Sequence, residues 1–320
     1  MKAAVITRFG EVPQYKDFPD PEQTDTQSLI KVKAAVLENF DKLTAGGTHY
    51  SSQQQYPQFP AVVGTDGVGL NENNQLVAFG AVQPPHGAFA ATVAAGFTMP
   101  VPDGITPAKA AAIPPSVLTS LLPLKHSAQL QPGETVLING ATGVSGKIAV
   151  QVARLLGAGR IVATGRNKTS LKKVRDLGAD EVISLDQDDT TLAKCLKTAA
   201  GDNGYDIVVD FLWGRPAEIL INTFIPEELG FPRHITRYLQ IGEAAGSAVS
   251  LPASAFRTSG LRLMGIGKIS WDTLGEELAN TWQWLKEDKF EMDIEEVLLK
   301  DISSAWQRND LAGKRLVLVP

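Results

Sequence analysis

A glycine-containing turn between residues 136 and 146 has the residue types and spacing of a phosphate-binding loop. The segment Val136-Leu-Ile-Asn-Gly-Ala-Thr-Gly-Val-Ser-Gly146 follows a short apolar run and precedes an amphipathic one, which predicts a strand, a turn and a helix. The missing side chains of Gly143 and Gly146 would allow close approach of a phosphate and close packing of helix on strand. Ala141 stands where the usual fingerprint has its first glycine, so a ligand-free turn is the alternative. The predicted contacts to a dinucleotide pyrophosphate are Ala141, Thr142, Gly143, Val144 and Gly146.

The end of the next predicted strand indicates which dinucleotide would bind. An Asp or Glu about 20 residues after the glycines would hold the ribose hydroxyls of NAD. The sequence there is Thr164-Gly-Arg-Asn-Lys168, which contains no carboxylate. Gly165 leaves space, and Arg166 offers a planar guanidinium to a 2′-phosphate, with Lys168 adding charge. We therefore predict NADPH as the cofactor, against the alternative that Arg166 is an ordinary surface residue.

The elements that would position these residues alternate between strand and helix from about residue 135 to residue 241. This pattern predicts an α/β domain with a doubly wound, Rossmann-type parallel sheet. The first 115 or so residues are mostly β in pattern, with frequent Gly and Pro, and a last strand is predicted at Arg315–Val319. We place a mainly-β domain at residues 1–118 and 255–320 and the cofactor domain at residues 119–254.

Composition restricts the partners. The formal net charge of −5 and the pI near 5.5 argue against nucleic acid or an anionic membrane as the main partner. Cys195 is the single cysteine, which excludes an intramolecular disulfide framework and a Cys-rich zinc site. The sequence has no apolar run of about 20 residues and does not begin with a signal-peptide pattern. We expect a cytoplasmic protein that acts on a small molecule.

Several further segments, in this order, resemble one known superfamily. They are Met1–Ile6, Asn39-Phe-Asp41, Pro60–Gly67, Gly87–Phe89, Ser116–Thr119, Asp206–Asp210 and Gly313–Pro320. With the glycine loop, they make the chain similar to the medium-chain dehydrogenase/reductases, specifically the zinc-free, quinone oxidoreductase-like branch. The resemblance implies a GroES-like catalytic domain, a Rossmann cofactor domain, a cleft between them, and a homodimer formed through the cofactor-domain sheet.

The resemblance also implies further cofactor contacts. It places Asn39 and Thr119 on the nicotinamide side of the cleft and Leu212 beside the adenosine. The turn at Ile241 and Gly242 would approach the nicotinamide from another side.

The same resemblance argues against zinc and therefore restricts the chemistry. Zinc alcohol dehydrogenases carry a catalytic Cys where this chain has Leu37–Asn39, a His-Glu pair where it has Thr65-Asp66, and a four-Cys lobe that it lacks. Without a Lewis acid, the expected hydride acceptor is one whose product anion is delocalised, a quinone or an α,β-unsaturated carbonyl. Tyr50 is the candidate proton donor, and the alternative is that it only packs in the pocket wall.

A second function class stays open, because the same cofactor loop would also serve an NADPH-binding sensor or structural protein without turnover.

Overall fold

The computed structural model describes residues 1–226, 234–311 and 313–320, which form two compact units. One unit comprises residues 1–115 and 292–320, and the other comprises residues 116–291. The strands are β1 (Lys2–Ile6), β2 (Gln14–Asp17), β3 (Ser28–Leu37), β4 (Ala61–Val62), β5 (Gly67–Leu70), β6 (Leu76–Val82), β7 (Thr92–Pro100), β8 (Thr135–Asn139), β9 (Arg160–Gly165), β10 (Glu181–Ser184), β11 (Ile207–Asp210), β12 (Thr236–Gln240), β13 (Leu261–Met264), β14 (Ile294–Leu298) and β15 (Arg315–Val319). The helices are α1 (Asn39–Ala45), α2 (Ser52–Gln55), α3 (Pro107–Leu122), α4 (Val144–Leu155), α5 (Lys168–Asp176), α6 (Asp189–Ala200), α7 (Gly214–Thr223), α8 (Ser254–Arg257), α9 (Trp271–Lys286) and α10 (Ile302–Trp306), with a π-helical turn at Pro123–Ser127 and a 3₁₀ turn at Leu299–Asp301.

The first unit is mainly β. Its larger sheet has the order β14-β15-β3-β5-β6-β7, and the long strand β3 also pairs with β7, so that β3, β5, β6 and β7 close on themselves. The smaller sheet has the order β2-β1-β4. Strands from both ends of the chain meet here, since β15 pairs with β3 in antiparallel register. Alternation of buried and exposed residues along β3 places one face of the strand in the core.

The second unit is a parallel sheet in the order β10-β9-β8-β11-β12-β13. Counted from β8, this is the 3-2-1-4-5-6 order of a Rossmann sheet, as predicted. Val136, Leu137 and Ile138 of β8 are fully buried, which is expected for a central parallel strand covered by helices on both faces. The strand order reverses at β8, so the carboxyl ends of β8, β9 and β11 mark the crevice where such folds bind ligands.

The structure moves the second domain boundary. We predicted that the mainly-β domain resumes at residue 255, but the change between units comes after Glu291. The reason is that β13 pairs in parallel with β12 and completes the Rossmann sheet, and α9 lies in the same unit. The first change, after Pro115, lies within a few residues of the predicted 118.

The apolar run Ala88–Val93 predicts a strand, but the observed strand lies further along the chain. Strand β7 runs from Thr92 to Pro100. The apolar residues before it are buried in a loop, where the amides of Ala88 and Phe89 donate to the carbonyls of Gly64 and Val63 at 2.9 Å. These residues are apolar because they are buried, but they do not form the continuous ladder of backbone hydrogen bonds that defines a strand.

Candidate functional site

The turn after β8 presents the first amides of α4 at the carboxyl edge of the sheet. Gly143 is exposed, has an extended backbone (φ −75°, ψ 171°) and precedes α4 without a side-chain cap. The first amides of a helix have no acceptor within the helix, and the helix dipole gives that end a partial positive charge. The turn is therefore suited to an anionic group.

Gly146 sits where the helix comes closest to the turn. A Cβ built on Gly146 would lie 2.4 Å from the carbonyl oxygen of Gly140 and 2.6 Å from the Cα of Ala141. Both are backbone atoms, so no side-chain rotation relieves the overlap. On Gly143, by contrast, the nearest atom to an added Cβ is 3.7 Å away, an ordinary contact. Gly146 therefore sets the shape of the turn, while Gly143 leaves its outer surface open.

A buried polar network joins three neighbouring strand ends beneath this turn. The Thr164 hydroxyl donates to the Asn139 side-chain oxygen at 2.6 Å and accepts from the Gly140 amide at 3.1 Å. Asn139 in turn donates to Asp210 Oδ1 at 2.8 Å, and the Tyr238 hydroxyl donates to Asp210 Oδ2 at 2.7 Å. Burial raises the pKa of Asp210, although these hydrogen bonds act in the opposite direction. The network fixes the loops that follow β8, β9 and β11 relative to one another.

Asp210 also holds the loop that contains Leu212. Its Oδ1 accepts from the amides of Leu212 at 2.9 Å and Trp213 at 3.2 Å, so this carboxylate caps the turn that precedes α7. Trp213 has φ 54° and ψ −159°, a conformation that non-glycine residues rarely adopt. The hydrogen bond from its backbone amide to the Asp210 carboxylate helps to hold Trp213 in this conformation. Its ring also makes an edge-to-face contact with Tyr238, at 6.3 Å between centroids.

The turn after β12 lies beside the Leu212 loop. The amides of Ile241 and Gly242 both donate to the carbonyl of Asp210, at 2.8 and 3.1 Å. A Cβ on Gly242 would lie 2.8 Å from the Phe211 carbonyl oxygen, so the two loops run in close contact. The Leu212 side chain in turn packs against Gly140. The structure therefore brings Leu212, Ile241 and Gly242 to the same edge of the sheet as the turn after β8.

The end of β9 completes this edge. Arg166 and Lys168 are exposed, and within the part of the chain that the structure describes neither has an ion-pair or hydrogen-bond partner. Asn167 between them caps α5, because its side chain accepts from the Ser170 amide at 2.8 Å. Gly165 is buried against Thr142 of the turn after β8. Two available cations thus follow a strand end that has no carboxylate.

The remaining predicted residues lie elsewhere. Thr119 is half-buried in α3 and belongs to the same unit as the sheet edge. Asn39 and Tyr50 belong to the mainly-β unit, where Asn39 is the exposed first residue of α1. Tyr50 lies between α1 and α2, is 95% exposed, and its ring contacts His49 at 4.2 Å between centroids. No described residue hydrogen-bonds to the Tyr50 hydroxyl.

Sequence reasoning missed a group of buried ionisable side chains in the mainly-β unit. Asp41 is 1% exposed, and its Oδ2 accepts from the Glu38 amide at 2.8 Å, while its Oδ1 has no hydrogen-bond partner among the described residues. Glu38 pairs with Arg315 at 2.9 Å. Burial, followed by repulsion from Glu38, raises the pKa of Asp41 well above its usual range and that of Asp66 to about 7. The sequence signals were the segments Asn39-Phe-Asp41, Pro60–Gly67 and Gly313–Pro320, which contain Asp41, Asp66 and Arg315.

The described residues contain no group of three or more His, Cys, Asp or Glu side chains arranged to hold a metal ion. No helix among them has both the length and the apolar character to span a membrane.

Comparison with known proteins is consistent with this geometry. Residues 145–218 match a family model described as zinc-binding dehydrogenase. The quinone oxidoreductase of Rattus norvegicus is 28% identical over 226 residues, which cover 66% of each chain. A quinone oxidoreductase-like protein 2 of Bos taurus is 24% identical, and the match covers 58% of its length. The match thus spans less than two thirds of these curated relatives.

Two further proteins align along the whole chain. A probable NADPH-dependent quinone reductase of Emericella nidulans is 25% identical, with 100% of each chain covered. The crystal structure of a quinone oxidoreductase from Thermus thermophilus, also solved with NADPH, is 27% identical, covers 100% of both chains and superposes with a TM-score of 0.80.

The structure contains a Rossmann sheet and a mainly-β unit built from both ends of the chain. In sequence and fold the chain is similar to quinone oxidoreductase-like members of the medium-chain dehydrogenase/reductase superfamily.

Proposed function

We propose that the protein is an NADPH-dependent oxidoreductase that reduces a quinone or an α,β-unsaturated carbonyl without a metal. The observation that carries the proposal is that the first amides of α4 and two exposed cations, Arg166 and Lys168, follow the neighbouring strands β8 and β9, and neither cation has a partner among the described residues. The segment that directly follows β9 contains no carboxylate. The names of the Emericella nidulans and Thermus thermophilus proteins support both the cofactor and the acceptor class.

The residues at this edge fit a phosphorylated dinucleotide. The open first-turn amides of α4, from Val144 onwards, suit the pyrophosphate, and the helix dipole favours its charge. The Arg166 guanidinium has no competing partner among the described residues and suits the 2′-phosphate, with Lys168 as a second cation. When bound, NADPH supplies the hydride. The protein's own contribution is to hold the cofactor by loops that the Asn139, Thr164 and Asp210 network keeps rigid.

The metal-free part of the proposal rests on residue identity. The segment 145–218 that matches the zinc-binding dehydrogenase model contains one cysteine, Cys195, and no histidine. Catalytic zinc sites use three protein ligands drawn from Cys, His and carboxylates. The positions that would supply them by family resemblance hold Leu37–Asn39 and Thr65-Asp66. Without a Lewis acid, an acceptor that delocalises its own anion is favoured over a simple ketone.

Proton delivery is assigned to Tyr50 as part of the proposal. Its hydroxyl is exposed and has no partner among the described residues, so it is available to donate to a product anion. A quinone needs this donor less than an enone, because the hydroquinone anion is a delocalised phenolate and is far less basic than the enolate formed from an enone. The alternative is that Tyr50 contributes contact area alone.

A set of possible hydride acceptors would distinguish catalysis from the alternative function, an NADPH-binding sensor without turnover. Purified protein would be mixed with NADPH and, separately, with quinones, enals, enones, simple ketones and, in the oxidation direction with NADP, primary alcohols. We expect oxidation of NADPH by members of the first three classes and none by simple ketones, with alcohols inert. Tight NADPH binding without turnover of any acceptor would favour the sensor, and zinc-independent alcohol oxidation would contradict the mechanism.

We also propose a homodimer formed through the β13 edge of the parallel sheet. This strand pairs only with β12 among the described residues, and its outer residues Arg262 and Leu263 are exposed. Phe256 and Ile266, on either side of it in sequence, are also exposed apolar residues. Exposed strand edges pair readily with a second copy. Light scattering should give a mass of twice the 34.3-kDa chain for the wild type. For Leu263→Lys it should give the mass of a single chain.

A further inference from the structure

Gly165, the last residue of β9, lacks a side chain for a reason that lies in the neighbouring loop. A Cβ built on Gly165 would lie 2.2 Å from Cγ2, 2.9 Å from Oγ1 and 3.1 Å from Cβ of Thr142. Distances under 3.0 Å are not tolerated, so the Thr142 side chain already fills the space that a side chain at position 165 would need.

Thr142 has little freedom to move away. Its branched Cβ restricts its rotamers. The two residues before it are attached to the end of β9, since the amides of Gly140 and Ala141 donate to Thr164 Oγ1 at 3.1 Å and to the Thr164 carbonyl at 2.8 Å. The turn cannot shift from β9 without breaking these bonds.

Gly165 is fixed as well. It pairs with Ser184 of the parallel strand β10, and its carbonyl accepts from the Leu185 amide at 2.8 Å. The contact between Thr142 and Gly165 is therefore made by two segments whose backbones are held by hydrogen bonds, either at the contacting residue or within two residues of it. Neither backbone yields at low cost.

We propose that Thr142 and Gly165 together determine cofactor preference. By filling the space beside Gly165, Thr142 excludes the carboxylate that an NAD-binding site would place near this strand end, and the space around Arg166 stays free of negative charge. Thr142 is a specificity-determining residue that acts by exclusion, although it is neither charged nor adjacent to Arg166 in sequence. The inference rests on the proposed function, because it deepens the assignment of NADPH.

The test separates shape from charge with four proteins: the wild type, Thr142→Ala, Gly165→Ala, and the double variant. Gly165→Ala adds a methyl group without charge. We expect it to weaken NADPH and NADH binding alike by about 10-fold and to lower the melting temperature. Thr142→Ala removes both overlapping atoms and leaves a 3.1 Å contact that a small shift relieves. The double variant should therefore bind both cofactors within about threefold of Thr142→Ala.

A carboxylate introduced at position 165 tests the exclusion directly. Gly165→Asp alone should lose NADPH binding and gain no NADH binding, whereas Thr142→Ala combined with Gly165→Asp should prefer NADH, measured by titration of each cofactor. Gly165→Asp that prefers NADH with Thr142 intact would overturn the proposal. So would additive effects in the alanine cycle, or a double variant that folds no better than Gly165→Ala. If the wild type binds no NADPH, the proposed function fails instead, and the melting temperatures of the four alanine-cycle proteins still test the contact.

Discussion

Replacement of Gly146 by alanine tests the shape of the turn after β8. The added Cβ would lie 2.4 and 2.6 Å from backbone atoms of Gly140 and Ala141, so helix and turn must separate. Overpacking of this kind typically costs about 1–3 kcal/mol, and each kcal/mol lowers the melting temperature of a domain of this size by roughly 2–4 °C. We expect a decrease of roughly 2–12 °C, with loss of NADPH binding.

Two matched glycines separate this effect from helix propensity and from ligand contact. Gly275 in α9 has no atom within 4 Å of an added Cβ, so Gly275→Ala should gain about 0.5–1 kcal/mol of stability from propensity alone. Gly143→Ala should fold normally, because its added Cβ makes only an ordinary contact at 3.7 Å. It should nevertheless weaken NADPH binding by about 10-fold or more, because the methyl group would take up space on the open outer surface of the turn, where we propose that the pyrophosphate binds.

Thermal melts followed by dye fluorescence and NADPH titrations by calorimetry would measure both quantities. A melting temperature of Gly146→Ala that equals or exceeds that of the wild type, as we expect for Gly275→Ala, would refute the proposed role of Gly146. The proposed pyrophosphate site is refuted if Gly143→Ala binds NADPH with unchanged affinity, because the pyrophosphate would then lie elsewhere.

Three further outcomes follow from the site and from the buried carboxyl groups. The folded-state pKa of Asp41 is raised above its unfolded value of about 4, so this group lowers stability progressively as the pH rises above about 4. Asp41→Asn keeps an acceptor for the Glu38 amide and should be more stable than the wild type at about pH 8, with the difference vanishing near about pH 4 in denaturant titrations. Equal destabilisation at both pH values would show that Asp41 is not protonated. Tyr50→Phe should slow enone turnover, by up to about 10²–10⁴-fold, and change quinone turnover little; identical rates with enones would mean that Tyr50 contributes only contact area. Elemental analysis should find far less than one zinc per chain, and activity lost to a chelator and restored by zinc would contradict the metal-free mechanism.

The central part of the fold could be predicted because its pattern is local. The apolar run Thr135–Ile138 and the amphipathic run Val144–Leu156 both lie within one βαβ unit. The bounds that these runs predict differ from those of β8 and α4 by one residue each. The absence of a carboxylate after β9 is likewise visible in the sequence alone. These features supplied the turn, the doubly wound fold class and the cofactor hypothesis.

What could not be predicted depends on contacts between distant segments. The sequence of β13 does not show that it pairs with β12, and this pairing moved the domain boundary. The network through Thr164 and Tyr238 depends on which strands are neighbours, as does the contact between Thr142 and Gly165. The burial of Asp41 requires the packed mainly-β unit, since one polar residue in a helix is ordinarily exposed.

Recognition of the 2′-phosphate by Arg166 is the central claim of the proposed function, and one measurement tests this claim directly. Dissociation constants for NADPH and NADH would be compared for the wild type, Arg166→Ala and, as a matched loss of one charge, Lys172→Ala, since Lys172 is an exposed cation further along α5. Loss of one charge-assisted contact should raise the NADPH constant by about 10- to 150-fold in Arg166→Ala. NADH binding in that variant, and both constants in Lys172→Ala, should change little. Equal losses for both cofactors in Arg166→Ala, or a wild type that binds NADH as tightly as NADPH, would contradict the account.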